Sequence, residues 1–78
     1  MKEYVTSYVT GKTYALQDVV RILNIQQIIA YMKYGVEILD MYPSISNTGV
    51  PVLVFIVNRN KSKTAYDLWC KGELNNVQ

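Results

Sequence analysis

The chain has 78 residues, half of them hydrophobic, with eight basic and six acidic side chains, one cysteine and no histidine. That leaves room for one domain and one core, excludes an intramolecular disulfide, and removes the commonest ligand of a structural zinc. A net charge of +2 is too balanced for a nucleic-acid footprint, and no apolar run approaches the ~20 residues that span a bilayer.

A domain this small buries only about 60% of the surface its unfolded chain exposes. With no staple available, self-association is the remaining way to add buried area. The opening Met-Lys-Glu-Tyr-Val-Thr has no apolar stretch of the kind a signal peptide needs. The expectation is a cytoplasmic protein with Cys70 reduced, no cofactor and no bound metal.

Residues 1–12 alternate, with Tyr4, Thr6, Tyr8 and Thr10 on one side and Val5, Ser7 and Val9 on the other. These are strand residues at strand spacing. Thr10-Gly11-Lys12-Thr13 suits a turn, and alternation resumes over residues 14–22. A hairpin is predicted, with a free arm over residues 1–12 as its alternative. Asn24 then changes the period: it is a good N-cap, and Gln27 stands at the spacing of a capping box. Ile25, Ile28, Ile29 and Met32 form the apolar stripe of a helix over residues 25–34, with Tyr31 and Tyr34 beside it, and Gly35 ends it.

Residues 36–42 alternate again, and the turn-rich stretch 43–49 reads as a connecting loop. The run 50–57, Val-Pro-Val-Leu-Val-Phe-Ile-Val, is apolar at every position and bracketed by polar residues. That is a strand covered on both faces, so residues 52–57 are taken as the centre of the sheet. Asn60 or Ser62 then caps a second helix that buries Ala65, Leu68, Trp69 and Leu74. Gly72 interrupts it, and residues 75–78 should fray.

The expected fold is one α+β domain, a small, mainly antiparallel sheet of three to four strands with two short helices in the order β(β)-α-β-β-α. The strand over 14–22 and the strand over 36–42 run parallel to each other, with the strand 52–57 between them and antiparallel to both. The N-terminal strand would lie at the outer edge. Two helices on one face leave the other face apolar and wet, which is costly. Either the second helix or a second copy of the chain must cover it, and a homodimer is expected.

Two blocks of this sequence look familiar. One is Asp18-Val-Val-Arg-Ile-Leu-Asn-Ile-Gln-Gln27 with Tyr31-Met-Lys-Tyr-Gly-Val-Glu-Ile-Leu-Asp-Met-Tyr-Pro43. The other is Val52-Leu-Val-Phe-Ile-Val57 with Tyr66-Asp-Leu-Trp-Cys-Lys-Gly-Glu-Leu74. Together they resemble a family of very small proteins carried by bacterial phages and prophages and known only as a domain of unknown function. The resemblance covers about three quarters of the chain, leaving out the first dozen residues. It implies the β-α-β-β-α order and a role as a phage accessory factor that binds and blocks a host component, such as a defence protein or its nucleotide signal. It brings no catalytic residues. The bulky pair Ile28-Ile29 departs from its usual smaller residues.

Catalysis has little to draw on. Cys70 has no histidine partner and reads as a half-buried core residue. Asp18, Glu37 and Asp40 are carboxylates for acid–base work or a metal, but Glu37 and Asp40 alternate to opposite faces of their strand. The plain alternative is solvated edge charge, and an enzyme is not expected.

Arg59, Lys61 and Lys63 are more informative. They stand where a helix begins and cations are disfavoured by the macrodipole unless an anion offsets them. With free N–H groups at that helix end they would form a phosphate or nucleotide site; a solvated turn is the plain alternative. Arg21 is either a further anion contact or an edge-strand charge that discourages pairing. Tyr4, Tyr8, Tyr14, Tyr31 and Tyr34 are candidates for an interface or for stacking on bases, against ordinary half-buried packing. Two functions follow: a non-enzymatic protein that binds and inhibits a host protein as an anti-defence factor, or an oligomer that sequesters a phosphorylated small molecule.

Overall fold

A computed structural model describes residues 3–74. At its centre is the all-apolar run, an eight-residue strand Pro51–Asn58 (β5), flanked by Val19–Ile22 (β3) and Asp40–Ile45 (β4), both antiparallel to it. The predicted order is observed, with β5 in the middle. A separate two-stranded sheet pairs Tyr4–Thr6 (β1) with Thr13–Ala15 (β2). The helices are Ile25–Tyr34 (α1) and Lys63–Cys70 (α2). The fold is therefore α+β with two small antiparallel sheets. Among the described residues no helix is long and apolar enough to cross a membrane.

The register sorts the core into two layers. Val57 lies opposite Val20 and Phe55 opposite Ile22, and these residues meet Ile28, Tyr31 and Ala65 of the helices. Val54 and Ile56 point the other way and meet Tyr14 and Val19, with Val5, Leu39 and Tyr42 packed alongside. The second face is thus covered by the chain's own N-terminal hairpin. Neither the second helix nor a second copy is needed there, so the uncovered face that argued for a dimer does not exist.

The N-terminal hairpin forms as predicted, but as its own sheet and not at the outer edge of the main one. The single strand expected over residues 14–22 is broken by a short 3-10 turn at Leu16–Asp18, with no buried residue in it. The break has a physical cause. Tyr14 and Ala15 pack in the hairpin layer while Val20 and Ile22 serve the sheet, and one straight strand cannot do both. The loop expected over residues 43–49 is shorter than foreseen. β4 runs through Pro43 to Ile45, which an edge strand tolerates. A tight turn then closes it, Ser46 N–H donating to the Val50 carbonyl at 2.9 Å and Gly49 N–H to the Ser46 carbonyl at 2.9 Å. Residues 36–39, expected as strand, carry no regular ladder.

α1 has the predicted bounds because its end signals are local. Asn24 Oδ1 accepts from the Gln27 N–H at 3.2 Å. The Gln27 side chain does not close the capping box but donates to the Tyr31 hydroxyl at 3.0 Å. Gly35 has φ 103°, and Val36 N–H returns to the Tyr31 carbonyl at 3.0 Å. A Cβ at Gly35 would meet nothing within 4 Å, so Gly35→Ala should cost about 1 kcal/mol from backbone strain alone. A modest fall in the urea midpoint without loss of helicity is the expected readout.

The rotation of α1 differs from expectation. Ile28, Ala30 and Tyr31 are buried, whereas Ile25, Ile29 and Met32 are about half exposed. In α2, Ala65 is fully buried while Leu68 and Trp69 are half-buried. Neither Asn60 nor Ser62 caps it through its side chain. Asn58 Oδ1 instead accepts from the Lys61 N–H at 2.9 Å, and Ser62 Oγ donates to the Arg59 carbonyl at 3.4 Å. Cys70 is exposed, not a core residue. The fraying expected over residues 75–78 falls outside the described residues.

A cationic groove at the sheet edge

The edge strand β3, one side of α1 and the start of α2 enclose a groove of about 540 Å³. Its apolar floor comes from β3, where Val20 and Ile22 project toward the helices, and from Leu23. Tyr31 and Gln27 enter from α1, and Tyr66 from the second turn of α2. Arg21, Arg59 and Lys63 complete it. No aspartate, glutamate or cysteine is among its lining residues.

Each cation is held differently. Arg59 follows β5, its N–H donating to the Asp18 carbonyl at 2.8 Å, and its Nη2 donates to the Val19 carbonyl at 3.2 Å. That fixes one arm of the guanidinium and leaves further donors for a ligand. Arg21 is exposed and makes no ion pair or side-chain hydrogen bond among the described residues. Lys63 stands 3.8 Å from Asp67 one turn along α2, both largely exposed, a contact worth little in water. Desolvation raises the pKa of Tyr31, and the interaction with Cys70 raises that of Tyr66, so both phenols stay neutral near pH 7.

The anticipated site is thus changed in composition. Of the four cations anticipated as anion contacts, Arg21, Arg59 and Lys63 line the groove, whereas Lys61 is exposed and does not. The helix end is also less open than expected. Ser62 N–H donates to the Asn58 carbonyl at 3.0 Å and Lys63 N–H to the Asn60 carbonyl at 3.3 Å, and Lys61 N–H is taken by Asn58 as well. An anion entering here would meet side chains and not free N–H groups of the helix end.

The tyrosines divide by location. Tyr4 and Tyr8 are exposed on the hairpin, Tyr8 completely so at its tip, and Tyr34 is 42% exposed at the end of α1. Tyr31 is buried to 1% exposure with its hydroxyl at Gln27, and Tyr14 is spent on the interior.

Tyr14 belongs to a group that the sequence reading treated as solvated charge. Asp40 is buried, accepting from Ser7 Oγ at 2.7 Å, Tyr14 hydroxyl at 2.7 Å and its neighbour Met41 N–H at 2.8 Å. Ser7 Oγ in turn accepts from the N–H groups of Val9 and Thr10, so this buried carboxylate ties the hairpin tip to the sheet, beside a Thr10 Oγ1 bond to the Leu39 carbonyl at 2.7 Å and an exposed Lys12–Glu37 ion pair. Burial works against the Asp40 charge, but the hydrogen bonds outweigh it and hold the pKa below the usual value. Burial and the same carboxylate push the Tyr14 phenol up to about 12. The sequence signal was weak: Asp40 shares strand parity with Tyr42 on the hairpin layer, but Val36 and Ile38, of the same parity, pack in the helix layer. Among the described residues no three potential ligands gather as a metal site would need.

A second cleft, about 460 Å³, opens on the hairpin side of β3. It shares Val20, Arg21 and Arg59 with the first, so the two grooves flank one strand edge. No family model matches the sequence, and no curated protein and no solved structure matches it either.

Proposed function

We propose that the chain is a non-enzymatic binding protein whose groove between β3, α1 and α2 receives an anionic group of its partner. The carrying observation is that three cations from separate segments line one groove with no carboxylate among the lining residues. Like charges brought together repel, and a bound anion offsets that repulsion while accepting charge-assisted hydrogen bonds. The sequence likeness to small phage-carried proteins supports a host component as the partner, bound and blocked in the host cytoplasm as an anti-defence step. The exposed rings of Tyr4 and Tyr8 supply further contact area of the kind protein interfaces favour.

A second reading, capture of a phosphorylated small molecule or nucleotide, draws on the groove's own dimensions. Its volume of about 540 Å³ lies within the range of small-molecule sites, and Tyr66 stands beside the cations. Both readings share anion recognition and have a common test. Isotope-labelled protein is titrated by NMR with pyrophosphate, with ATP and with a glutamate-rich peptide. At least one probe should shift the amides of residues 20–23 and 59–66. Arg21→Glu with Lys63→Glu should weaken that binding roughly tenfold or more, whereas Lys61→Glu leaves it nearly unchanged. Equal losses in the two variants would show only a general charge effect, and the groove would not be the site.

A further inference from the structure

The same groove carries a more specific inference, which rests on the anion-binding reading above. We infer that β3 takes up an extended acidic segment of a partner protein as an added strand, with the segment's alternate side chains entering the two grooves that flank the β3 edge.

The backbone phase makes this edge available. The Arg59 N–H bonds to the Asp18 carbonyl, and the register sets Val19 opposite Asn58 and Arg21 opposite Ile56. Bonded and non-bonded pairs alternate in an antiparallel ladder. Val20 and Ile22 therefore turn their N–H and C=O toward β5, while Val19 and Arg21 turn theirs outward. The bond from Arg59 Nη2 to the Val19 carbonyl agrees with that phase. In that phase the Arg21 N–H and C=O face away from β5 and are the groups open to an added strand, the outward Val19 carbonyl being already taken by Arg59.

Side-chain alternation then selects the occupant. An added strand projects successive side chains to opposite faces. On the helix face they meet the cationic groove with Lys63, and on the hairpin face the cleft walled by Tyr14, Leu16, Tyr42 and Ile56. An alternation of acidic and apolar residues matches both. A second copy of this chain does not. Two β3 strands paired about a twofold axis would bring Arg21 opposite or diagonal to its equivalent, about 5–8 Å apart, and like charges so placed destabilise a sheet.

The test uses the full chain and the peptide acetyl-Glu-Val-Glu-Val-Glu-Val-Glu-amide, with two analogues N-methylated on the valines or on the inner glutamates. Strand addition presents only one alternate set of peptide N–H groups to β3. One analogue should therefore lose at least tenfold in affinity and the other little, and the Arg21 amide should gain protection from hydrogen exchange. Equal tolerance of both methylations, or binding without Arg21 protection, overturns strand addition while leaving anion binding intact. ATP or pyrophosphate binding where the peptide fails at millimolar concentration assigns the groove to small phosphates and also overturns it. No response to any of the three probes removes the anion-binding reading itself.

Discussion

Asp40→Ala should lower the stability of the fold by about 3 kcal/mol or more, a large change for one polar residue in so small a chain. The substitution removes an acceptor that serves the Ser7 and Tyr14 hydroxyls and the Met41 N–H. Buried donors left without a partner cost about 1–3 kcal/mol each, and bonds to a charged group are the stronger kind. The loss should be local in its first effect. Because Ser7 also organises the Val9 and Thr10 N–H groups, amides of β1, β2 and the tip should lose exchange protection before those of α1. A change in urea midpoint equivalent to less than about 1 kcal/mol would mean that the hairpin is not held by this carboxylate.

The same lock makes stability depend on pH in a defined direction. Asp40 has a folded pKa below its ordinary 3.8, so its contribution is present above that value and is lost as pH falls through the folded pKa. Tyr14 is pushed the other way, from 10.0 to about 12. Its contribution is complete below pH 10 and fades as pH rises through about 12. Denaturation midpoints followed across pH should show a plateau between these limits. Tyr14→Phe should lower the plateau and reduce the alkaline decline, leaving the part contributed by the raised phenols of Tyr31 and Tyr66.

Two adjacent isoleucines give the second large effect. Ile28→Ala should cost about 3 kcal/mol, since the side chain is 2% exposed in the cluster with Tyr31, Phe55 and Val57. Ile29→Ala should cost less than about 1 kcal/mol because that side chain is 47% exposed. Matching losses in paired urea titrations would place the helix in a different rotation from the one described. The contrast matters for function as well: the rotation that buries Ile28 and Tyr31 also brings Gln27 and Tyr31 to the groove.

The features legible in the sequence are those decided within about one turn of the chain. Asn24 and Gly35 end α1 through their own side chain and backbone, so residues 25–34 could be read directly. The all-apolar run ending at Val57 has no solvent-facing parity, so it had to be the central strand, and the order β3-β5-β4 follows from its neighbours. What could not be read is what lies on each face. The stripe of Ile25, Ile28, Ile29 and Met32 fits two rotations of one helix, and only packing against Phe55 and Val57 selects between them. The burial of Asp40 depends on Ser7 and Tyr14, 33 and 26 residues away. Likewise Arg21 meets Arg59 and Lys63 only because β3 pairs with β5 and α2 begins just beyond that pairing. Caps, turns and periodicity act on near neighbours. The closing of the second sheet face by the hairpin, and with it the groove along β3, comes from contacts between distant segments that form only when the layers assemble.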